Sequence, residues 1–444
     1  MTQSLENYKQ AFANSRNRRS PAEPAELVRT REEALNRFLA VGFPTTRDEE
    51  WRFTSVAPIA GHAFTLAEAA ANAGHRDVAP LRLPGVFGAE LVFVDGRFAL
   101  ALSSIDELPR GVRLGSLADD AGSHANGTES HLARVAPFDR RAFVALNTAL
   151  FTDGAYIQIP AHTVMEKPIH VLFVSSGETD GRRAAMSHPR VLAVLGDDSQ
   201  AAIVESYAGP EGALYFTNVV TEIVLGENAV LDHYKLQHES TEAYHVGAMF
   251  LKAARSAHCA SHSISLGGSI VRNDVVAVLD GEGGECTLNG LYLADGHRLI
   301  DNHTTIDHAM PHCGSREIYK GILADRARGV FNGKIIVRPD AQKTDAKQTN
   351  RALLLSEDAQ VNSKPELEIF ANDVKCTHGA AIGQLDEDAV FYLRSRGLSL
   401  AEARHMLIHA FAGDVLNRMP LEAIRNGVEA VLRRQLARAL AVAA

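Results

Sequence analysis

Two side chains that commonly bind transition metals stand two positions apart near the end of the chain, Cys376 and His378 in the segment VKCTHGA. Alternate residues of an extended strand point to the same face, so the thiol and the imidazole would lie side by side. Thiolate and imidazole are typical ligands of iron and zinc, but such a site needs about four ligands. The segment therefore predicts at most half of a metal site, whose missing ligands come most simply from another subunit.

The four cysteines are far apart in the sequence, at Cys259, Cys286, Cys313 and Cys376. No pair has the two-residue separation of a zinc or redox motif, so neither a disulfide framework nor a closed zinc site is predicted. A reducing compartment suits this pattern.

Histidines are concentrated in the same part of the chain, above all in the segment HTTIDHAMPHC. It contains His303, His308, His312 and Cys313. Their spacings match no closed metal motif, and alternate residues of a strand point in opposite directions. We interpret these four residues as parts of turns and stacks rather than as ligands.

Two common catalytic motifs are incomplete in this sequence. The segment GKI at 333–335 lacks both the Ser or Thr and the upstream glycine of a phosphate-binding loop. The segment GGSIV at 267–271 lacks the final glycine of a nucleophile elbow. We therefore predict no ATP site and no serine-hydrolase activity in this chain.

The composition is that of a soluble globular protein, with 444 residues, 46% hydrophobic and 22% charged residues, and a formal charge of −9. The acidic balance argues against a nucleic-acid-binding protein, which would carry a basic face. No apolar run has the length of a membrane span or of a signal-peptide core. We expect a cytoplasmic protein that binds neither nucleic acid nor membrane.

The candidate ligands belong to a region of short apolar runs separated by Gly, Asp and Asn. Runs such as ELVFVDG and HVLFVSSG have the length and turn signals of β-strands, and no helical pattern separates them. A pattern of strand, turn and Asn then recurs with spacings of 29, 30 and 30, at Asn273, Asn302, Asn332 and Asn362. A fixed β-type period of this length predicts a parallel β-helix with Asn at its corners. Evenly spaced antiparallel hairpins are the alternative.

Helical patterns flank the strands on both sides. Apolar stripes before Gly42 predict two amphipathic helices. After the strands, Asp386 and the capping-box spacing of Ser399 and Glu402 predict two helix starts. A last helix carries an apolar stripe that would cover either the end of the β-helix or a partner; the stripe is Leu421, Ile424, Val428, Leu432, Leu436 and Leu440.

The predicted fold is therefore mainly β, a parallel β-helix core flanked by N- and C-terminal α-helical regions. The boundaries that these patterns indicate are 1–86 for the N-terminal helical region, 87–383 for the β-helix core and 384–444 for the C-terminal helical region.

Several long segments are similar to one known family. They are RDEEWRFT at 47–54, FVALNTALFTDGAYIQIP at 143–160, SREIYKGIL at 315–323 and the stretch from KTDAKQTN to RHMLIHAF at 343–411. These segments resemble the SufB/SufD family of iron–sulfur cluster assembly scaffolds, and the likeness extends over most of the chain. SufB-type chains have Glu after the histidine, whereas Gly379 follows His378 here, so the chain resembles the SufD type.

The resemblance implies a right-handed parallel β-helix and a heterodimer with SufB. It also implies that the C-terminal region at 384–444 holds one copy of the ATPase SufC, so that ATP is hydrolysed there and this chain is a scaffold rather than an enzyme. His378 would be a ligand of a transient iron–sulfur cluster shared with SufB, and Cys376 would assist sulfur transfer or only lie beside it. The resemblance leaves open a reduced flavin in the complex and a homodimer of the isolated chain.

Two other hypotheses stay open at this point. A cytoplasmic β-helix enzyme acting on polysaccharide would suit the architecture, although aromatic residues make up only 6% of the chain. A purely structural partner of SufB would leave every cluster ligand on SufB, with His378 a satisfied interface residue. In the family context the HTTIDHAMPHC residues either line a path for sulfur or build turns, and we favour turns.

Overall fold

A continuous coil of parallel strands forms the centre of the molecule in the computed structural model. The structure describes residues 2–16, 23–67, 78–82, 85, 87–120, 131–177, 179–180 and 183–442. Its strands are β1 (Thr65–Leu66), β2 (Ala89–Val94), β3 (Arg97–Phe98), β4 (Ser104–Ile105), β5 (Arg113–Ser116), β6 (Gly154–Ile159), β7 (Ile169–Val174), β8 (Thr179–Asp180), β9 (Arg183–Ser187), β10 (Arg190–Leu195), β11 (Gln200–Ala208), β12 (Tyr215–Leu225), β13 (Val230–His238), β14 (Tyr244–Ala253), β15 (His258–Ser265), β16 (Ile270–Leu279), β17 (Glu285–Ala294), β18 (Leu299–His308), β19 (Gly314–Leu323), β20 (Arg328–Val337), β21 (Asp345–Leu354), β22 (Gln360–Ile369) and β23 (Lys375–Gly383).

Helices precede, interrupt and follow this coil. The α-helices are α1 (Thr2–Arg16), α2 (Ala25–Val41), α3 (Ala57–Gly61), α4 (Leu117–Asp120), α5 (Ala142–Leu150), α6 (Glu387–Ser395), α7 (Leu400–Leu416) and α8 (Glu422–Val442), and short 3-10 helices lie at Glu49–Trp51, Ala79–Leu81 and Leu100–Leu102. None of the helices in these ranges combines the length and the hydropathy that crossing a membrane requires.

The parallel β-helix predicted from the repeat is confirmed, with about seven turns. From β10 onward, strands alternate between two sheets and each pairs in parallel with the strand two places later. One sheet has the order β22-β20-β18-β16-β14-β12-β10-β6-β5, and the other β23-β21-β19-β17-β15-β13-β11-β7-β2-β3. Antiparallel pairing is confined to the short strands β3, β4, β5 and β8 among the described residues, so evenly spaced hairpins are excluded.

The expectation that the four asparagines stand at the corners of the coil is wrong. All four lie inside strands, on β16, β18, β20 and β22. The left-handed backbone region is occupied instead by residues at the turns, among them Asp198, Asn228, Ser256 and Asp325.

The asparagine ladder is limited to one pair. Asn273 and Asn302 are register partners, and Nδ2 of Asn273 donates to Oδ1 of Asn302 at 3.1 Å. Register advances by 29 residues from β16 to β18 and again to β20, but by 32 residues to β22. Asn332 is therefore one position out of register with Asn302, and an offset of one residue turns a side chain to the other face of its sheet. Asn362 is two positions out of register with Asn332.

Aliphatic and aromatic side chains fill much of the space between the two sheets. Cys259, Cys286 and Cys313 belong to this buried cluster, with Ile157, Val191, Ile203, Leu231, Leu251, Leu288, Ile306 and Phe331. Burial raises the pKa of Cys259 to about 12 and raises the pKa of Cys286 as well. Three of the four cysteines are thus core residues, kept as neutral thiols, and only Cys376 is partly exposed.

A buried ion pair fastens α5 to the outer face of the first sheet. Arg190 on β10 donates through Nε to Oε2 of Glu222 on β12 at 2.8 Å, and through Nη1 to Oδ1 of Asn147 on α5 at 3.0 Å. Both charged side chains are fully buried. Glu222 also accepts three backbone N–H groups of the segment at 133–136, each at 3.0 Å.

The helix starts predicted after the strands are confirmed. The Asp386 side chain accepts the N–H groups of Asp388 and Ala389, and Ser399 and Glu402 form a complete capping box. The predicted apolar stripe packs on this chain's own β-helix through its described side chains, together with α7, against Ile264, Leu266, Leu291 and Leu293; the side chain of Leu440 lies outside the described part of the chain. The covered surface is the outer face of the second sheet rather than the end of the β-helix.

Candidate functional site

Cys376 and His378 lie on β23, the last strand of the coil. β23 pairs with β21, with Cys376 opposite Ala346 and His378 opposite Gln348. No strand within the described ranges pairs with the other edge of β23, and β22 ends the first sheet in the same way. The β-helix therefore has an open end, where unpaired strand edges and the candidate ligands occur together.

Both candidate ligands point to the inner side of the coil. Cys376 packs against the buried side chains of Ile335, Val337 and Ala346 from the coils below. His378 shares its side of the strand, because side chains alternate with a period of two. The imidazole is nevertheless exposed, since the following segment of the chain adds no further coil above it.

The Cys376 thiol is protonated at neutral pH. Burial raises its pKa above the ordinary value for cysteine, although the backbone N–H of Ala346 opposes the shift. A bound metal ion or a neighbouring base is therefore needed to convert this thiol into a ligand or nucleophile.

This protonation state predicts the alkylation behaviour of the native chain. Iodoacetamide should modify Cys376 alone, and the rate should rise about tenfold per pH unit between pH 7 and 9, because the thiolate is the reactive form. Mass spectrometry of timed, quenched samples measures both the site and the rate. Fast modification that does not change over this pH range would contradict the raised pKa.

The pair supplies two metal ligands, fewer than iron or zinc requires. Among the residues that the structure describes, no group of three or more His, Cys, Asp or Glu side chains is placed to hold a metal ion. The residue after the histidine is Gly379, which offers no side chain. An iron site at this position therefore needs ligands from a second chain at the open end.

His303 and His308 are strand residues, so the expectation that they build turns is wrong for these two. His303 points outward, with Nδ1 3.3 Å from Oε2 of Glu50 and Nε2 3.1 Å from Oδ1 of Asp301. His308 is buried, with Nε2 2.9 Å from Oγ of Ser315, and burial lowers its pKa to about 4. Each is held by its own polar partners, and the structure does not bring them together.

The turn interpretation is correct for His312, which has a φ of 60° and an exposed side chain. Cys313 follows this turn, and its buried thiol donates to the carbonyl oxygen of Gly281 at 3.3 Å. Neither residue lies on β23 with Cys376 and His378.

A set of polar side chains buried inside the coil was not predicted from the sequence. Nε2 of His233 lies 3.0 Å from Oε1 of Glu205, and Nζ of Lys235 donates to Oδ1 of Asn273 at 2.7 Å. Burial lowers the pKa of Lys235 to about 8. Polar residues at alternate positions of a strand usually mark its solvent face, so the pattern alone gives no signal that these groups point inward.

A second exposed feature lies on the C-terminal helices. Phe391 and Tyr392 on α6, and Leu400 and Met406 on α7, are exposed, with Phe391 73% accessible. The buried residues of α7 pack on the second sheet and α6 packs on α7, so the exposed faces of both helices are available to another molecule.

Two family models together match most of the chain. The model described as SufBD protein N-terminal region matches residues 2–171, and the model described as SUF system FeS cluster assembly, SufBD core domain, matches residues 174–411.

Similar proteins occur in bacteria and plants. An iron–sulfur cluster assembly SufBD family protein of Synechocystis is 35% identical, over 92% of this chain and 90% of that protein. The iron–sulfur cluster assembly protein SufD of Escherichia coli is 32% identical, over 90% and 91%. The chloroplastic protein ABCI7 of Arabidopsis thaliana is 30% identical, over 92% and 86%. The chain therefore belongs to the SufB/SufD family of iron–sulfur cluster assembly proteins and is of the SufD type.

Proposed function

We propose that this chain is a scaffold subunit that pairs with SufB and the ATPase SufC, and that a transient iron–sulfur cluster is built where it meets SufB and is passed on to apoproteins. The proposal rests on the open end of the β-helix, where Cys376 and His378 form an incomplete ligand set on β23, a strand whose outer edge pairs with no other strand of the described residues. An incomplete set at an exposed edge suits a site that two chains complete together.

The open end also has the physical character of a protein interface. Ile369, Phe370 and Ile382 are exposed there, beside the unpaired edges of β22 and β23. Another strand edge would satisfy these backbone groups and cover the apolar side chains. SufB, as the sister chain of the family, is the partner that we assign to this surface.

The ligand set suits temporary rather than permanent binding. His378 offers a nitrogen donor from an exposed side chain, and Cys376 a thiol that ionises only when a metal or a base takes its proton. Cysteine and carboxylate ligands from SufB would complete the site. Such a mixed set holds iron less firmly than four thiolates, so the cluster can be transferred.

We assign the SufC contact to the C-terminal region at 384–444. The exposed apolar side chains on α6 and α7 provide the surface, with Phe391 and Met406 on its two helices. ATP binding and hydrolysis belong to SufC in this proposal, and this chain contributes no catalytic residue. A reduced flavin would serve the complex as an electron donor and is assigned to no residue of this chain.

Replacing His378 by alanine tests the cluster site. The chain is coexpressed anaerobically with SufB and SufC, and iron and acid-labile sulfide are measured per purified complex. His378→Ala is expected to lose both while the three chains still assemble, because the side chain is exposed and its removal leaves no cavity. Thr377→Ala, on the opposite face of the same strand, is the matched control and should keep wild-type contents.

Full iron and sulfide in the His378→Ala complex would contradict this proposal. All cluster ligands would then belong to SufB, and this chain would be its structural partner.

A further inference from the structure

The layer of the β-helix directly below His378 contains a buried amide with an unused acceptor. Gln348 on β21 is the register partner of His378 and is 2% exposed. Its Nε2 donates to Oε2 of Glu317 in the coil below, at 2.8 Å. Its Oε1 has no hydrogen-bond partner among the residues that the structure describes. A buried carbonyl oxygen without a donor is costly, so it marks a place where a donor is expected.

The surroundings fix which end of the amide is free. Glu317 is itself buried, 4% exposed, and burial raises the pKa of its carboxyl to about 7. Gly333 lies beside the amide, and a Cβ at that position would overlap Gln348 Nε2. Because Nε2 donates to Glu317, Oε1 is the atom of the amide that can accept a hydrogen bond from the next coil.

We propose that Gln348 is a positioning residue for His378, whose ring N–H donates to Gln348 Oε1 so that the other ring nitrogen is directed at iron. This inference rests on the proposed function, because it assigns a partner to the imidazole of that same site. Strands in register are about 4.8 Å apart, a distance that two inward side chains can bridge with a hydrogen bond. Glu317 holds the amide in place from behind.

Metal sites in general show what such a hydrogen bond to a histidine ligand contributes. A metal-binding histidine usually donates its second N–H to an oxygen, which fixes the tautomer and the ring orientation and raises the basicity of the ligand. Removing such a partner weakens metal binding by about 10- to 100-fold. Gln348 is suited to this role because its acceptor is buried and its orientation is fixed before iron binds.

Asn350 supplies a matched control on the same strand. It is also 2% exposed, and its Nδ2 donates to Oγ of Ser363 at 3.3 Å. Within the described part of the chain, its Oδ1 has no hydrogen-bond partner. Its register partner is Ala380, whose side chain has no donor. A variant at Asn350 therefore changes the packing of the same layer without changing an acceptor for His378.

The test measures how fast the anaerobic complex with SufB and SufC loses iron to a ferrous chelator. Gln348→Leu is expected to release iron about 10- to 100-fold faster than wild type. Asn350→Leu should release it at the wild-type rate. If the leucine variant does not assemble, Gln348→Met, which has the same chain length, replaces it in the assay.

A spectroscopic measurement separates positioning from a general loss of packing. With ¹⁵N-histidine in this chain, the nitrogen coupling of the reduced cluster should change in Gln348→Leu and stay unchanged in Asn350→Leu. Equal acceleration in both variants, or wild-type release and coupling in Gln348→Leu, would overturn the role of Gln348. If the role of Gln348 is overturned but His378→Ala still loses its cluster, the proposed function stands. If His378→Ala keeps its cluster, the proposed function and the role of Gln348 are both wrong.

Discussion

Replacing Glu222 by alanine is expected to lower the free energy of unfolding by about 3–5 kcal/mol, because it leaves the Arg190 guanidinium charged and unpaired in a fully buried position. Three backbone N–H groups of the segment at 133–136 lose their acceptor at the same time. The connection that carries α5 should then detach from the first sheet. The midpoints of thermal and denaturant unfolding of the purified chain measure the effect.

Glu227 provides the control for this prediction. Its carboxylate pairs with Arg255 at 2.6 Å, but both side chains are about half exposed, so solvent replaces the lost partner. Glu227→Ala should leave the unfolding midpoint unchanged. Glu222→Gln retains acceptor capacity and volume and should be less destabilised than Glu222→Ala. Equal midpoints for Glu222→Ala and Glu227→Ala would show that the buried pair does not stabilise the fold.

Replacing Ile382 by aspartate is expected to prevent stable pairing with SufB. Ile382 lies on β23, on the same side as His378, and is 48% exposed at the open end. A carboxylate there would be buried without a partner when a second chain covers the strand, which costs about 3–5 kcal/mol, or about 10²- to 10⁴-fold in affinity. Size-exclusion chromatography of the coexpressed chains measures the loss.

The control for Ile382 uses the other exposed apolar surface. Phe391→Asp on α6 should keep the pair with SufB and lose SufC, because the proposal assigns α6 and α7 to the ATPase. Ile382→Asp should lose the pairing with SufB, while SufC stays attached to each of the two separated chains. Normal pairing of the Ile382→Asp chain with SufB would show that the interface lies elsewhere on the molecule.

The sequence was sufficient to predict the fold class, because a period near 30 with β-type content favours stacked coils over evenly spaced hairpins. The register in which the strands pair was not predictable from the sequence. The asparagines that suggested the period lie inside strands, and the coil that joins β20 to β22 is longer than the two before it, which join β16 to β18 and β18 to β20. Helix starts were predicted correctly because a cap depends only on residues within one element, as at Asp386 and Ser399.

Some residues of the candidate site were predictable from the sequence and others were not. Cys376 and His378 were identifiable because their residue types and spacing have chemical meaning on a strand. Gln348 and Glu317 were not, because a polar residue in a strand usually faces solvent and only register reveals the inward column. The buried pair of Arg190 and Glu222 likewise depends on residues brought together by coiling rather than by sequence proximity.

Pulsed electron paramagnetic resonance with subunit-selective labelling tests most directly whether His378 binds a cluster shared with SufB. This chain is produced with ¹⁵N-histidine, combined with unlabelled SufB and SufC, reconstituted anaerobically with iron and sulfide, and reduced by one electron. We predict a ¹⁵N coupling to the reduced cluster in the wild-type complex, and no cluster signal in His378→Ala, which is expected to lose the cluster. A reduced cluster without ¹⁵N coupling in the wild-type complex would contradict the account and assign all its ligands to SufB.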